Sequence, residues 1–449
     1  MPTHQPMQTT LTKTIKQYKT PKGRAVSAMT IPNSDFFKFE IINWNGASIE
    51  RTFKELNNKT VYGISHLIEH MSFKSTRDYE SSELLHALKM FGQYNASTDF
   101  DRINYWYQTI SDHKDFAINI TCNIAFNDLK RVNEEEYELE RNVVYNEVKR
   151  YNDDAQNMFH FNTHSYYYGW DEGDNVLGLP ENINSLELQD CIDIKSLFLC
   201  EDDTSYIVVY DPCVLDIETI LNDIDTNVDA YGLSPSMEPK YKQKYAEMLT
   251  KNKIKSDVQV STDTEQIMVK VVFEKFTNIF VTDIVNRYIS SLAKDVSLND
   301  YIREQNGLTY GIHFYSDQTN YTQNINFTCD VTKGNEGLLM ELFHKSINDV
   351  CDTFTEEKHN EFISNLKLKT KMGLLDQSQY ITWAKSVYTK EEYKSISHWF
   401  EEDVNTAVIK VYAAVTFDTM KEYLETFKAV VNNKDYIKIL GTNDEAQTK

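Results

Sequence analysis

His66, Glu69 and His70 stand in the order H-x-x-E-H, inside Gly63-Ile64-Ser65-His66-Leu67-Ile68-Glu69-His70-Met71. On a helix, residues four apart lie one turn apart on the same face, so the two imidazoles can turn toward one point. Two ring nitrogens can then hold one metal ion at about 2.0–2.1 Å each. Glu69 shares that face and can act on an activated water without being a ligand. The order inverts the H-E-x-x-H zinc motif. Taken by itself, so short a pattern also fits two surface histidines and an acid on an ordinary helix.

A catalytic zinc takes three protein ligands and keeps one position open. The third should come from a separate helix. The segment 134–151 offers Glu134, Glu135, Glu136, Glu138, Glu140 and Glu147. Glu140 and Glu147 are seven apart and share one face, and Val143 and Val144 between them are expected to pack toward the core. Glu134–Glu136 read as a solvated helix front; Glu147 does not. A second histidine pair, His160 and His164, is also four apart. No neighbouring Glu or Cys completes a site there, so it reads as a partly buried helix face. His86, His113 and His313 read as structural.

The elements that must position these groups follow from periodicity and turn chemistry. Residues 1–20 read as a flexible tail. Strands at 24–31 and 36–43 read as a pair around Pro32-Asn33-Ser34-Asp35. A polar loop at 57–60 precedes the H-x-x-E-H helix. A helix from Ser81 to Phe91 is expected to end on Gly92 as a left-handed cap. Strands at 93–98 and 103–110 form a second pair. Helices follow at 113–126, 134–151 (with Asn133 and Glu136 as a capping box), 189–199 and 214–224, with a strand at Ser205–Asp211 between the last two. The second half repeats the order: a strand at 265–273, helices at 277–293 and 298–305, strands at 308–316 and 321–331, helices at 335–353 and 356–374, and strands at 407–416 and 436–441. Ser205–Asp211 has its counterpart in Asp435–Leu440. Such repetition suggests an internal duplication, although the second half carries no H-x-x-E-H. The division expected is 21–225, a linker at 226–256, rich in Lys, Ser, Pro and Asp, and 257–449.

The 449 residues exceed one hydrophobic core. The net charge of −22 argues against nucleic acid as a partner, which requires a basic face. No run of eighteen apolar residues exists, so no membrane-spanning helix is expected. The six cysteines form no C-x-x-C pair and fit reduced thiols of a cytoplasmic protein. Lys13, Lys16, Lys19, Lys22 and Arg24 precede the first acid, but arginine is too scarce there for a transit peptide.

These residues resemble the pitrilysin / mitochondrial processing peptidase family of inverzincin zinc metallopeptidases. His66-Leu67-Ile68-Glu69-His70-Met71-Ser72-Phe73-Lys74-Ser75-Thr76 is similar to the family's zinc helix, and Gly46, Ser48 and Glu50 to the segment before it. Glu147 lies 77 residues beyond His70, within Glu140-Arg-Asn-Val-Val-Tyr-Asn-Glu147. The resemblance implies Glu147 as third ligand and Glu140 as a carboxylate orienting the site. Gly92-Gln-Tyr-Asn95-Ala96-Ser97-Thr98 is similar to the family's edge strand, which implies that Asn95, Ala96 and Ser97 hold an extended substrate by strand addition. Arg303 and Tyr310, seven apart, look like the family's pair that reaches the substrate from the second domain, as substrate and oxyanion contacts.

The fold implied is α+β: two similar α/β-roll domains, each a mostly antiparallel sheet with helices packed on it, enclosing a peptide-binding cavity. The activity implied is zinc-dependent hydrolysis of peptides or unfolded polypeptides, with one Zn2+ per chain and Glu69 as general base. A homodimer fits the family. The alternative is a catalytically silent, scaffolding subunit of a processing-peptidase-like hetero-oligomer. On the two-domain expectation, removing 257–449 would leave zinc bound and abolish turnover.

Overall fold

The computed structural model describes residues 12–168, 175–237, 240–241, 257–261, 266–273, 279–318, 323–372, 387 and 394–442. The first half runs β1 (Thr14–Lys19), β2 (Ala25–Thr30), β3 (Phe36–Asn43), α1 (Ser48–Asn57), α2 (Ile64–Met71), α3 (Ser81–Met90), β4 (Gln93–Thr98), β5 (Ile103–Ile110), α4 (Lys114–Ala125), α5 (Glu134–Asn152), α6 (Ala155–Tyr168), α7 (Pro180–Ser185), α8 (Leu188–Phe198), β6 (Thr204–Tyr210) and α9 (Ile217–Asp229). The second half runs β7 (Val258–Ser261), β8 (Gln266–Phe273), α10 (Ile279–Arg287), β9 (Ile312–Gln318), β10 (Gln323–Thr332), α11 (Glu336–Thr353), α12 (Glu356–Lys371), α13 (Ser397–Phe400), α14 (Val404–Ala414), α15 (Phe417–Asn432) and β11 (Ile437–Thr442). Two π-helical turns, Tyr288–Leu292 and Asn299–Glu304, join α10 to β9.

Among the described residues the strands form two sheets, β1-β2-β6-β3-β5-β4 and β7-β11-β8-β10-β9. In the first, β6 enters between β2 and β3, parallel to one and antiparallel to the other. In the second, β11 enters between β7 and β8 in the same way. The orders β2-β6-β3-β5-β4 and β7-β11-β8-β10-β9 correspond strand for strand, so the duplication is present in the topology, with β6 and β11 as counterparts. The fold is α+β with mostly antiparallel sheets, as expected.

Period-two patterning sets which face of each sheet meets which layer. Phe37, Phe39 and Ile41 of β3 point into one large core, and Val269, Val271 and Phe273 of β8 into the other. The opposite faces are covered by exchange. Met29, Ile42, Ile207 and Val209 of the first sheet pack against Phe400, Val404, Ala407, Val408 and Val411 from α13 and α14 of the second half. Met268, Val272 and Ile439 of the second sheet pack against Phe159 of α6.

Several sequence expectations are corrected. Residues 14–19 are not a loose tail: β1 pairs with β2 and buries Ile15. The strands β2 and β3 do not pair with each other, because β6 lies between them. The helix α1, just before the expected polar loop at 57–60, has no counterpart in the sequence expectations. Gly92 is not a left-handed cap; a Cβ there would lie 2.1 Å from the Gln108 carbonyl oxygen, so close backbone approach is what requires glycine. The β-branched run at 407–416 is helix α14, since its buried residues Val404, Ala407, Val408 and Val411 follow i, i+3, i+4, i+7. Asp403 caps it by accepting the Thr406 amide at 2.7 Å. The expected linker begins inside α9, and its residues 238–239 and 242–256 lie outside the described residues.

Candidate metal centre

The metal helix α2 is fixed at its start. Gly63 adopts φ 84°, and a Cβ there would lie 2.4 Å from the Leu177 carbonyl oxygen. The buried Glu50 carboxylate accepts the Gly63 amide at 2.7 Å and the Ser65 amide at 2.8 Å. A negative charge thus answers unpaired amides at the positive end of the helix. Ile64, Leu67, Ile68 and Met71 enter the core, which leaves His66 and His70 on the face toward α5.

There α5 supplies Glu147. Its Oε2 lies 3.5 Å from His70 Nε2 and 4.0 Å from His66 Nε2. Donors around a tetrahedral zinc are separated by about 3.3 Å when each bond is about 2.05 Å. The three groups therefore match a zinc ligand set within small side-chain adjustments. They form the one cluster of three potential metal ligands among the described residues. The His66 and His70 rings stand edge to face, 4.8 Å apart.

The surroundings tune the donors. Glu140 Oε1 lies 2.8 Å from His70 Nδ1, and Glu140 also pairs with Lys74. The outer nitrogen of His70 is thereby held, and Nε2 is turned toward Glu147. Burial, then the charge of His70, pushes the His66 pKa down to about 4, so that imidazole is neutral and ready to bind. Its Nδ1 is buried with no hydrogen-bond partner among the described residues. For His70, burial opposes the charge, but the bonds to Glu140 and then Glu147 outweigh it, and the pKa rises to about 9. The bond to His70 holds the Glu147 carboxyl below its ordinary range.

Glu69 lies at the same cavity. Its Oε2 accepts the Thr98 hydroxyl. Burial raises the Glu69 pKa, and the Thr98 bond limits the rise. A carboxylate shifted in this direction holds a proton more readily, as a general base that accepts one must. The strand β4 is the outer strand of its sheet and lines this cavity of about 680 Å³ with Asn95, Ala96 and Ser97. Ala96 points into the core. Ser97 accepts a hydrogen bond from Asn104 at 2.8 Å on the other face. What β4 offers an extended chain is thus its backbone edge.

Arg303 and Tyr310 are placed together but not at the metal cavity. The Arg303 guanidinium lies 5.6 Å from the Tyr310 ring centroid, and Tyr310 is 93% exposed. Tyr310 lines a second cavity of about 580 Å³. His160 and Lys270 line both cavities; the side chain of His164 lies outside the described residues. Sequence reasoning missed Thr98 and Lys270. The signals were present: Thr98 shares the inward parity of Ala96, and Lys270 is the lone charge in the apolar strand 267–273.

Comparison with known proteins places the chain in one class, the peptidases of the insulinase type. Residues 56–179 match the family described as Insulinase (Peptidase family M16), and residues 216–366 match Peptidase M16 inactive domain. The chain belongs to the pitrilysin (M16) peptidase family. An uncharacterized zinc protease of Rickettsia felis is 21% identical over 420 residues, covering 89% of this chain and 95% of that one. The zinc protease YmxG of Bacillus subtilis is 25% identical, covering 61% and 63%. The zinc protease PqqE of Helicobacter pylori is 30% identical over 156 residues, covering 33% and 34%. A solved protease from Helicobacter pylori superposes with a TM-score of 0.69 at 16% identity, covering 96% of this chain and all of that one. A peptidase M16 inactive domain from Pseudomonas fluorescens gives 0.72 at 11% identity, covering 97% and 99%, and a chain of Complex III2 from Candida albicans gives 0.67 at 14%, covering 96% of each.

Proposed function

We propose that the protein is a zinc-dependent endopeptidase acting on peptides or unfolded polypeptides. The observation that carries this reading is the convergence of His66, His70 and Glu147 beside a half-buried Glu69, its pKa raised, in one cavity bordered by a sheet edge. Zinc, one ion per chain, would polarise the scissile carbonyl and lower the pKa of a water from 15.7 to about 7. His66 and His70 present Nε2 and Glu147 presents Oε2 to hold it. Glu140 keeps His70 in that orientation through Nδ1. Thr98 fixes Glu69 Oε2, which leaves Oε1 to take the proton of the attacking water and pass it to the leaving amine. The edge of β4 at Asn95–Ser97 aligns the extended substrate by main-chain hydrogen bonds. Tyr310, from the second cavity, and Arg303 beside it would contact the substrate; an oxyanion contact from Tyr310 requires its ring to move toward the metal cavity. A homodimer is compatible with this reading, and no helix of the described residues is long and apolar enough to cross a membrane.

The competing reading is a silent scaffolding subunit, in keeping with the likeness to an inactive domain and to a Complex III2 chain. Glu69→Gln decides between them. The substituted protein should retain zinc and lose peptide cleavage by about 10²–10⁴-fold. Undiminished cleavage by that variant, or a wild-type protein that binds no zinc, refutes the peptidase assignment.

A further inference from the structure

The metal helix α2 spans eight residues. Helices shorter than about 12–15 residues are marginal in water without tertiary support, so both ends of α2 must be held from outside. The Glu50 carboxylate holds the start through the Gly63 and Ser65 amides. The last turn carries Glu69 and His70. Whatever fixes that turn therefore fixes the proposed base and one metal ligand together.

Ser72 closes the turn. It lies four residues beyond Ile68 and shares the side of the helix that enters the core. Its amide donates to the Ile68 carbonyl at 2.9 Å and to the Glu69 carbonyl at 3.2 Å, and its hydroxyl donates to the Ile68 carbonyl at 2.8 Å. A hydroxyl has one proton, so with that proton on Ile68 the Ser72 oxygen can only accept. Two groups reach it: the Tyr105 hydroxyl at 3.0 Å and Lys195 Nζ, from α8, at 3.2 Å. Lys195 also donates to the carbonyl of Ala125, the last residue of α4, at 3.0 Å, and its Nζ lies 5.2 Å from the Tyr105 ring centroid. The side chain is buried, and burial pushes its pKa down to about 7. Its neighbours on α8, Cys191, Ile194 and Phe198, belong to the large apolar core. An apolar side chain of similar volume would serve that packing without the cost of dehydrating an amine. What lysine adds is a cationic donor at the carbonyl end of the metal helix, where positive charge is favoured. With Glu50 at the amide end, α2 is held between a buried anion and a buried cation.

We infer that Lys195 is a positioning residue: through Ser72 it fixes the last turn of α2, and so the placement of Glu69 and His70, from the core side of the helix. It acts without touching the metal or the substrate. Its effect on turnover rests on the proposed peptidase reading; its effect on metal binding rests only on the ligand set. A lysine that merely filled the core would act on stability, and its loss would leave the zinc-loaded, folded protein unaltered in zinc affinity and in turnover.

A double-mutant cycle on the full chain tests this. Lys195→Met, Ser72→Ala and the combined variant are compared with wild type in zinc affinity, by chelator competition, and in kcat and KM of peptide cleavage with zinc saturating. Thermal midpoints are measured alongside. Lys195→Met should bind zinc about tenfold more weakly and lose about tenfold to a hundredfold in kcat, as a small misplacement of a reacting group does, with KM little changed. Ser72→Ala should show the same pattern. Because both substitutions break one linkage, the combined variant should lie within about twofold of the more impaired single variant. Losses that multiply in the combined variant, a lowered midpoint with zinc affinity and kcat intact, or a raised KM in place of the lowered kcat overturns the inference. If Lys195→Met does not fold, Lys195→Gln takes its place in the cycle under the same criterion. Wild-type protein that binds zinc and cleaves no peptide refutes the peptidase reading, and the zinc affinities then decide the role of Lys195 by themselves.

Discussion

Replacing Glu140 by Gln separates two effects that oppose each other at neutral pH. Glu140 Oε1 holds His70 Nδ1 at 2.8 Å and so directs Nε2 toward Glu147 Oε2, 3.5 Å away. Partners of this kind are worth about 10–100-fold in metal affinity, or about 1.4–2.7 kcal/mol. The same carboxylate also stabilises protonated His70, whose pKa in the metal-free protein is about 9. Zinc must displace that proton. Near pH 7 the displacement weakens binding by about two decades, roughly 2.7 kcal/mol. Glu140→Gln removes the strongest interaction favouring the proton, so His70 releases it more readily. Lost orientation weakens zinc binding and relieved competition strengthens it, each by about 2 kcal/mol, and near pH 7 they largely cancel. Above the His70 pKa only orientation remains. The variant should therefore bind zinc about 10–100-fold more weakly than wild type near pH 9.5 and with a much smaller deficit near pH 7. Chelator competition on metal-free protein at the two pH values measures both. Equal affinity at the higher pH would refute the positioning role of Glu140.

Thr98→Val removes the hydrogen bond that lowers the Glu69 pKa, so the acid limb of kcat/KM should move to higher pH; a limb that stays or moves down contradicts the assignment of Glu69 as base. Gly63→Ala meets both a left-handed φ of 84° and a carbonyl oxygen 2.4 Å from the new Cβ, and should destabilise the fold by more than about 1 kcal/mol in denaturant unfolding; an unchanged midpoint would show that the loop relaxes freely. Removing residues 257–449 strips α13 and α14 from Met29, Ile42, Ile207 and Val209, an upper-bound loss of about 6–12 kcal/mol at about 1.5–3 kcal/mol for each side chain. That rivals the whole stability of a domain, so the fragment should aggregate rather than remain a zinc-binding unit, and a soluble, native-like fragment by near-UV circular dichroism would contradict this.

The metal site was legible because its chemistry restricts residue type. His66, Glu69 and His70 had to be those residues at those helical spacings, and Glu147 came from the resemblance of its segment; His66, His70 and Glu147 lie within reach of one ion, and Glu69 lines the same cavity. The start of α5 was equally legible, since the Asn133–Glu136 capping box marks it, but of the two valines expected in the core only Val144 is buried and Val143 is exposed. Packing is more permissive. The run Ala-Val-Ile-Lys-Val-Tyr in 407–412 suits a strand by propensity, and only the sheet face it covers makes it a helix. The β2–β3 pairing failed for a related reason: adjacent strands in sequence are the usual partners, but β6 carries an apolar run on both faces and belongs in the middle. Thr98 and Lys270 escaped because their roles depend on which face of a strand meets which cavity, and that parity is fixed by the fold.

The exchanged helices also limit how the cleft can open. A site divided between two halves invites the expectation that they separate to admit substrate. Rigid separation would uncover the α13–α14 contact on the first sheet and the α6 contact on the second together, at a cost comparable to unfolding. His160 lies on α6 and Lys270 on the sheet that α6 covers, so the junction between the two cavities stays assembled in any motion that keeps these contacts. Among the described residues, β4 leaves its edge unpaired and Tyr310 stands almost fully in solvent. On the proposed peptidase reading, cavities of about 680 and 580 Å³ suit an extended chain better than a folded domain, and an extended chain is also what the edge of β4 can pair with. On that reading, the packing between the halves and the free strand edge favour the same substrate conformation for independent reasons.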